Sequence, residues 1–227
     1  MSRFSVTVVL TGIEKELPSP EDANLLLAVY FQYIHIEHPF LHPTSLINAY
    51  NALYACTECR YDSEKLEQNG WLHDIKPFPY NGKLDMLDGN RCTPISISTA
   101  IFHVFMVFSL AATVLTRKRN FDHSPIRFYR MAMQSTSDCF SGVSVSALQG
   151  VLLLAIQGII EPAGLNIWTL MNVAMSHCVD LGLHREPDNP SDLSPIARTV
   201  RRLIFHAVYS LDRYSNREIK NPTACGY

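Results

Sequence analysis

Charged residues are scarce in this 227-residue chain, where Asp, Glu, Lys and Arg together make up 18%. Apolar residues make up 47%, so the composition excludes wholesale disorder and indicates a globular protein. Positive charge is not in excess, because 19 Lys and Arg stand against 21 Asp and Glu and the formal net charge is −2. This balance argues against a free-standing nucleic-acid binder, which is usually basic overall or on one face. The length suffices for one large or two small domains.

A convincing secretory signal is also missing. The apolar run from Phe4 to Leu10 is short and follows a single basic residue, Arg3. Without such a signal, an even number of cysteines in a chain of this size does not predict a disulfide framework. We therefore expect a reducing intracellular compartment for the six cysteines, which are Cys56, Cys59, Cys92, Cys139, Cys178 and Cys225.

One hydrophobic run could be mistaken for a membrane anchor. Residues 101–115 are mostly apolar and are followed by the basic residues 117–119. The run is shorter than the roughly 20 residues that span a bilayer, and it contains His103 and Ser109. We interpret it as part of a buried core helix over 95–116 and expect no membrane partner, with membrane anchoring through this helix as an alternative.

Catalytic motifs are absent as well. The chain contains no GxSxG nucleophile turn and no phosphate-binding GxxxxGK or GxGxxG loop. Glu161 and Asp180 are lone acids near predicted helix ends, where capping or solvation accounts for them. We therefore predict that the chain is not an enzyme, although catalytic groups scattered through the fold would leave no such motif.

Two patterns keep an alternative open, a small helical enzyme or redox protein. His35, His38 and His42 have a spacing that would share one face of a continuous helix and could bind zinc, but Pro39 interrupts that helix. Cys56 and Cys59 form a lone CxxC, without the second pair that a structural zinc site needs. We expect neither pattern to bind a metal or cofactor.

Helix signals recur along the chain. Ser19, Ser124 and Ser194 each precede a proline, which places a hydroxyl at the N-cap and a proline at the first helical position. Gly182 can end a helix in the left-handed conformation, with Leu183 folding back on the last turn. Gly and Pro make 56–93 a long irregular insertion, with a possible helical turn near 64–68. We predict an all-α array or bundle of about seven helices, over about 20–37, 44–55, 95–116, 125–139, 144–160, 165–181 and 195–214.

Four segments together resemble the fungal-specific transcription factor domain, the middle homology region of fungal zinc-binuclear-cluster transcription factors. Residues 30–42 resemble the turn after the family's first helix, and residues 147–159 resemble a later helix. The most specific matches lie in the second half of the chain, at Trp168, Ala174, Asp180, Leu181, Gly182, Leu183, His184, Arg185, Arg201, Arg202, Phe205, Leu211, Asp212 and Arg213.

The resemblance implies a regulatory module of a nuclear transcription factor. In the family, DNA binding and zinc binding belong to a separate N-terminal head with six cysteines, and the cysteines of this chain do not have that spacing. DNA is therefore expected as a partner only through such a head. The resemblance implies no cofactor in this chain. Packing against protein partners, self-association, or a small effector is the expected mode of action.

The resemblance also suggests domain bounds and an effector pocket. It covers residues 20–214 and leaves 1–19 as a poorly defined segment and 215–227 as a divergent tail. His206 stands where the family usually has tryptophan, and no G-R-P turn follows Asp212 and Arg213, so we expect an incomplete domain, truncated at its C-terminus. Weak candidates for lining an apolar effector pocket between helices are Trp168, Met171 and His184.

Overall fold

The computed structural model describes residues 12–58, 66–83, 85–87, 90–118, 123–162, 164–187 and 193–220. Within these ranges the fold is built from helices, which confirms the expected all-α class. A short helical segment at 12–16 comes first. The helices that follow are α1 (Pro20–Tyr33), α2 (Pro43–Glu58), α3 (Ile97–Arg117), α4 (Pro125–Met133), α5 (Thr136–Cys139), α6 (Val145–Ile160), α7 (Ile167–Asp180) and α8 (Pro195–Lys220).

The predicted helix starts agree closely with the structure. Ser19 accepts a hydrogen bond from the backbone N–H of Asp22 at 3.2 Å, and Ser194 accepts one from Ala197 at 3.1 Å. Ser124 precedes α4 as expected, but its side chain makes no capping hydrogen bond. The proline at the first helical position therefore marks all three starts, while the serine oxygen satisfies a backbone donor at only two of them.

Helix ends were predicted less well. Helix α1 ends at Tyr33 and residues 34–37 form turns, although the pattern predicted a helix to 37. The predicted helix over 125–139 is broken between α4 and α5, where the Thr136 hydroxyl donates to the Met133 carbonyl at 2.8 Å and competes with the helical pattern. Helix α8 continues six residues past 214, since 215–220 contain neither glycine nor proline.

Helix α3 is the centre of the fold. It packs against α1, α2, α4, α5 and α6, and nearly all of its residues are buried. By length and composition alone it could cross a membrane, but its apolar faces are covered by neighbouring helices, as expected for a core helix. Helices α6, α7 and α8 pack on one another and form the second part of the core.

The segment between α2 and α3 is irregular, as predicted, yet it contributes to the core. The Trp71 side chain is only 1% exposed, and its indole N–H donates to the Ile95 carbonyl at 2.9 Å. Leu66 pairs with Leu72 in an isolated β-bridge, where the sequence suggested a helical turn. Two three-residue strands, β1 (Asp85–Leu87) and β2 (Asn90–Cys92), form a small antiparallel sheet that the all-α prediction did not include.

A buried polar network ties this segment to the helices. The Asn81 amide donates to the Gln149 amide oxygen at 2.8 Å, and Gln149 donates to the Phe40 carbonyl at 2.7 Å. The backbone N–H of Asn81 donates to the Ser45 hydroxyl at 3.0 Å. Because each of these groups is buried, the hydrogen bonds offset the cost of removing the groups from water. They also hold the segment around Asn81 in place against α2 and α6.

Candidate functional site

The turn after α7 contains the most specific sequence motif. Gly182 has φ +63°, and its N–H donates to the Val179 carbonyl at 2.9 Å. The N–H of Leu183 donates to the Cys178 carbonyl at 2.8 Å, and the Leu183 side chain is buried. These two bonds define a Schellman motif, which confirms the predicted left-handed helix end and the folding back of Leu183.

Arg201 joins this turn to α8. Its guanidinium donates to the Gly182 carbonyl at 2.9 Å and to the Leu181 carbonyl at 3.3 Å. Both carbonyl groups lie just past the end of α7, where they have no partner within the helix. A cation there is also favoured by the negative end of the helix dipole. The motif residues around Gly182 and the arginine of the next motif therefore form one joint between α7 and α8.

The other motif residues on α8 that carry charge, Arg202, Asp212 and Arg213, are exposed or half-buried. Arg202 pairs with Glu186 at 3.0 Å, but both side chains are more than 60% exposed, so this ion pair contributes little. Arg213 donates to the Tyr209 hydroxyl at 3.0 Å, one turn earlier on the same helix. Asp212 accepts from Asn216 at 3.1 Å, also within α8, so it forms no bridge to another described element.

A half-open cavity of about 360 Å³ lies between the turn and α8. Its lining combines aromatic and aliphatic surface with basic side chains. The residues are Leu183, His184, Arg185, Glu186, Pro187, Arg198, Arg201, Arg202, Phe205, His206 and Tyr209. We call it the basic pocket.

Helical spacing explains why the basic pocket gathers residues of α8. Arg198, Arg202 and Phe205 are spaced by three or four positions, which places them on one face of the helix. The sequence shows this cluster of arginines, and such a cluster is usually an ordinary solvated helix face. What it could not show is that the face borders a cavity, because the opposite wall comes from the turn after α7.

The effector-pocket candidates lie in different places. His184 lines the basic pocket. Met171 is fully buried on α7 and belongs to the core, whereas Trp168 is 51% exposed on the first turn of α7. Neither is among the lining residues of the basic pocket, so the structure brings only one of the three candidates to it. Binding of an effector there stays a prediction.

A second cavity, of about 340 Å³, lies on the other side of Arg201. Arg201 and Leu181 line it together with Tyr80, Lys83 and the first turns of α6 and α8. The neighbouring Gly82 has φ +78°, and its carbonyl accepts a hydrogen bond from the Ser194 hydroxyl at 2.8 Å. Ser194 therefore caps α8 and holds the irregular segment at the same time.

His35 and His42 of the candidate histidine cluster make different contacts. His35 packs its ring against Phe31 at 5.3 Å, and His42 accepts from the backbone N–H of Ser45 at the start of α2. Burial lowers the pKa of His35 and of His38. Throughout the part of the chain that the structure describes, no three His, Cys, Asp or Glu side chains are arranged to hold a metal ion. The alternative that used His35, His38 and His42 therefore finds no metal-ligand cluster among the described residues, and it stays a prediction.

The cysteines likewise do not fit the zinc-cluster head of the family. Cys56 is buried in α2, and Cys59 lies outside the described residues. Burial raises the pKa of Cys139 to about 12 and that of Cys178 to about 11, so both thiols stay protonated. Since metals bind the thiolate form, these two thiols are poor zinc ligands.

Sequence reasoning placed His103 in a buried core helix but missed its hydrogen-bond partners. His103 on α3 lies between the Tyr80 hydroxyl, 2.8 Å from Nδ1, and the Ser146 carbonyl, 3.0 Å from Nε2. A carbonyl only accepts, so the proton must be on Nε2, and Nδ1 then accepts from Tyr80. Burial lowers the pKa of His103 to about 4. The hydrophobic run around His103 gave no sign of these partners, which come from distant segments.

Comparison with known proteins identifies this arrangement of helices. The model of the fungal specific transcription factor domain matches residues 27–223. That range is most of the chain, so the chain belongs to this family. It includes the turn after α7 and the whole joint with α8. No solved structure matches the chain.

Curated relatives are fungal regulators. Over 136 residues, 57% of the chain, it is 26% identical to the negative regulator of pleiotropic drug resistance STB5 of Candida glabrata. Over 209 residues, 92% of the chain, it is 24% identical to transcription factor FBD3 of Gibberella moniliformis. Over 120 residues, 52% of the chain, it is 36% identical to pyrimidine pathway regulatory protein 1 of Saccharomyces cerevisiae. The matched regions span only 12% to 24% of these relatives.

Proposed function

We propose that this chain is the regulatory module of a fungal zinc-cluster transcription regulator and that it works through packing and binding rather than catalysis. The family match and the names of the relatives support this role. The observation that carries the proposal is the joint between α7 and α8, in which Arg201 binds the carbonyl groups of the motif turn. A joint of this kind can transmit a change at one helix to its neighbour.

The proposal places DNA and zinc binding in a separate head and the regulator in the nucleus. The described part of this chain offers no metal-ligand cluster, and its formal net charge is −2, which does not favour phosphate contacts. Expression of the chain fused to the head of a known zinc-cluster regulator should place the fusion in the nucleus. Exclusion of that fusion from nuclei would contradict the proposal.

A reporter experiment tests the regulatory role. The full chain is inserted between a heterologous DNA-binding domain and an activation domain, and transcription is compared with the two domains joined directly. We expect the inserted chain to change reporter output, because a regulatory module alters the exposure of a linked activation domain. The same output with and without the folded chain would contradict the proposal.

Two variants test whether the change in reporter output depends on the joint between α7 and α8. Arg201→Gln removes the joint between the turn and α8 and should abolish the change in output. Gly142→Ala alters a glycine whose added methyl group meets no atom within 4 Å, so it should behave like the unsubstituted chain. Equal protein levels in all fusions, measured by immunoblot, are required for the comparison. Loss of regulation in both variants would show that the effect does not depend on the joint.

A further inference from the structure

The charges around the basic pocket are unbalanced. Four arginines line it, and among the described lining residues Glu186 is the one acid. Glu186 pairs with Arg202. Arg185 and Arg198 make no ion pair with any described residue. The pocket therefore concentrates positive charge on a protein whose overall charge is slightly negative.

Arg198 shows that part of this charge lacks a partner. Its Nε atom is buried and has no hydrogen-bond partner among the described residues. A buried N–H of a guanidinium that makes no hydrogen bond costs free energy, and such groups are rare in folded proteins. An anionic oxygen in the pocket would balance this charge and would accept hydrogen bonds from the terminal guanidinium nitrogens of Arg198, which lines the pocket.

The size and the rest of the lining indicate the kind of ligand. A volume of about 360 Å³ lies at the small end of the range for small-molecule sites and is too small for a helix. Phe205 and Leu183 provide apolar surface beside the arginines. This combination suits a molecule with one anionic group and an apolar body.

We infer that the basic pocket binds a small organic anion, whose carboxylate or phosphate group is held by Arg198 and Arg185 and whose apolar part packs on Phe205. The inference deepens the proposed function by naming the chemistry of an effector, and it rests on that function only for its biological meaning. Arg201, which lines the pocket and also holds the carbonyl of Gly182, would connect the ligand to the joint between α7 and α8.

Calorimetric titration of the full chain with four probes tests the inference. Phenyl phosphate and benzoate carry the two possible anionic groups on the same apolar ring. Benzyl alcohol is their neutral counterpart, and inorganic phosphate lacks the ring. We expect at least one of the two aromatic anions to bind more tightly than both of the other probes, and the tighter of the two identifies the preferred anionic group.

Substitutions then locate the binding site. Arg198→Gln should weaken binding roughly ten- to a hundredfold, the range for a lost hydrogen bond to a charged group. Arg198→Lys keeps the charge and should lose less. Arg130→Gln changes an exposed arginine on α4 outside the pocket and should bind like the unsubstituted chain. Circular dichroism of each variant checks that it is folded, and NMR shifts of the His184 and His206 rings report binding independently of affinity.

Several results would overturn the inference. One is the absence of binding by either aromatic anion at millimolar concentration. Another is equal affinity for benzyl alcohol, which would mean a purely apolar site. A third is binding that Arg198→Gln leaves unchanged. Because these measurements use no transcription assay, they can fail without affecting the proposed regulatory role.

Discussion

The guanidinium of Arg201 donates a hydrogen bond to the carbonyl of Gly182 at 2.9 Å, across 19 residues of sequence. This contact joins the two most specific motifs of the chain. Gly182 supplies the left-handed backbone that ends α7 and turns its last carbonyl groups outward. Arg201 supplies the donors that those carbonyl groups require. The carbonyl groups of the turn after α7 therefore depend on the arginine of the next motif for their donors.

Replacement of Gly182 should destabilise the fold through backbone strain. Gly182→Ala has room for the added methyl group, with no other atom closer than 3.6 Å, but φ stays at +63°. We expect the free energy of unfolding to fall by about 1–2 kcal/mol, the cost of placing a side chain in this conformation. Urea denaturation followed by circular dichroism measures the change. Gly142→Ala is the matched control and should stay within about 0.5 kcal/mol of the unsubstituted chain.

Removal of the Arg201 guanidinium should destabilise the joint itself. Arg201→Gln leaves the carbonyl groups of Leu181 and Gly182 without their donor, although water can reach them in part. We expect a loss of about 1–2 kcal/mol in the free energy of unfolding. Arg202→Gln breaks only the exposed pair with Glu186 and should cost about 0–1 kcal/mol. Equal losses in both variants would show that Arg201 acts as an ordinary surface charge.

Local features of the fold could be predicted from the sequence, and long-range ones could not. The end of α7 depends on two adjacent residues, Gly182 and Leu183, so the pattern identified it. The basic pocket depends on contacts between the turn after α7 and the face of α8 that carries Arg198. Residues that are far apart in sequence meet there, and helical periodicity holds no information about which face meets which element.

The irregular segment between α2 and α3 also shows that long-range contacts could not be predicted from the sequence. Proline and glycine correctly indicated that residues 66–83 would not be helical. They gave no sign that this insertion enters the core, where Trp71 and Tyr80 are buried and Asn81 forms hydrogen bonds. These side chains are buried because α2, α3 and α6 leave room for them, and that space is a property of the assembled fold.

Two of the three serines that precede prolines, Ser194 and Ser124, make a direct comparison possible. Ser194→Ala removes the cap of α8 and the hydrogen bond to the Gly82 carbonyl, so we expect a loss of about 1–2 kcal/mol. Ser124→Ala removes a serine in the same sequence context whose side chain makes no capping bond. Its effect should stay within about 0.5 kcal/mol. Thermal unfolding of both variants measures the difference, and comparable losses would mean that the Ser194 contacts contribute nothing.

The buried His103 predicts how stability depends on pH. In the folded chain its pKa is lowered to about 4, against a usual value of 6.5. Between these two values the unfolded chain binds a proton that the folded chain does not. The free energy of unfolding should therefore fall as the pH decreases from 6.5 towards 4, by up to about 1.4 kcal/mol per pH unit and roughly 3 kcal/mol in all.

Comparison with His103→Gln isolates this contribution, because the other titrating groups are the same in both proteins. The variant can lose stability at every pH, but its loss relative to the unsubstituted chain should become smaller as the pH falls. Urea denaturation at several pH values from 7 to 4 gives that difference. A difference that does not change with pH would mean that His103 has the same pKa in the folded and unfolded states. The hydrogen bonds with Tyr80 and Ser146 would then stabilise the neutral and the protonated imidazole equally. We expect otherwise, because Nδ1 accepts from Tyr80 and can do so only in the neutral ring.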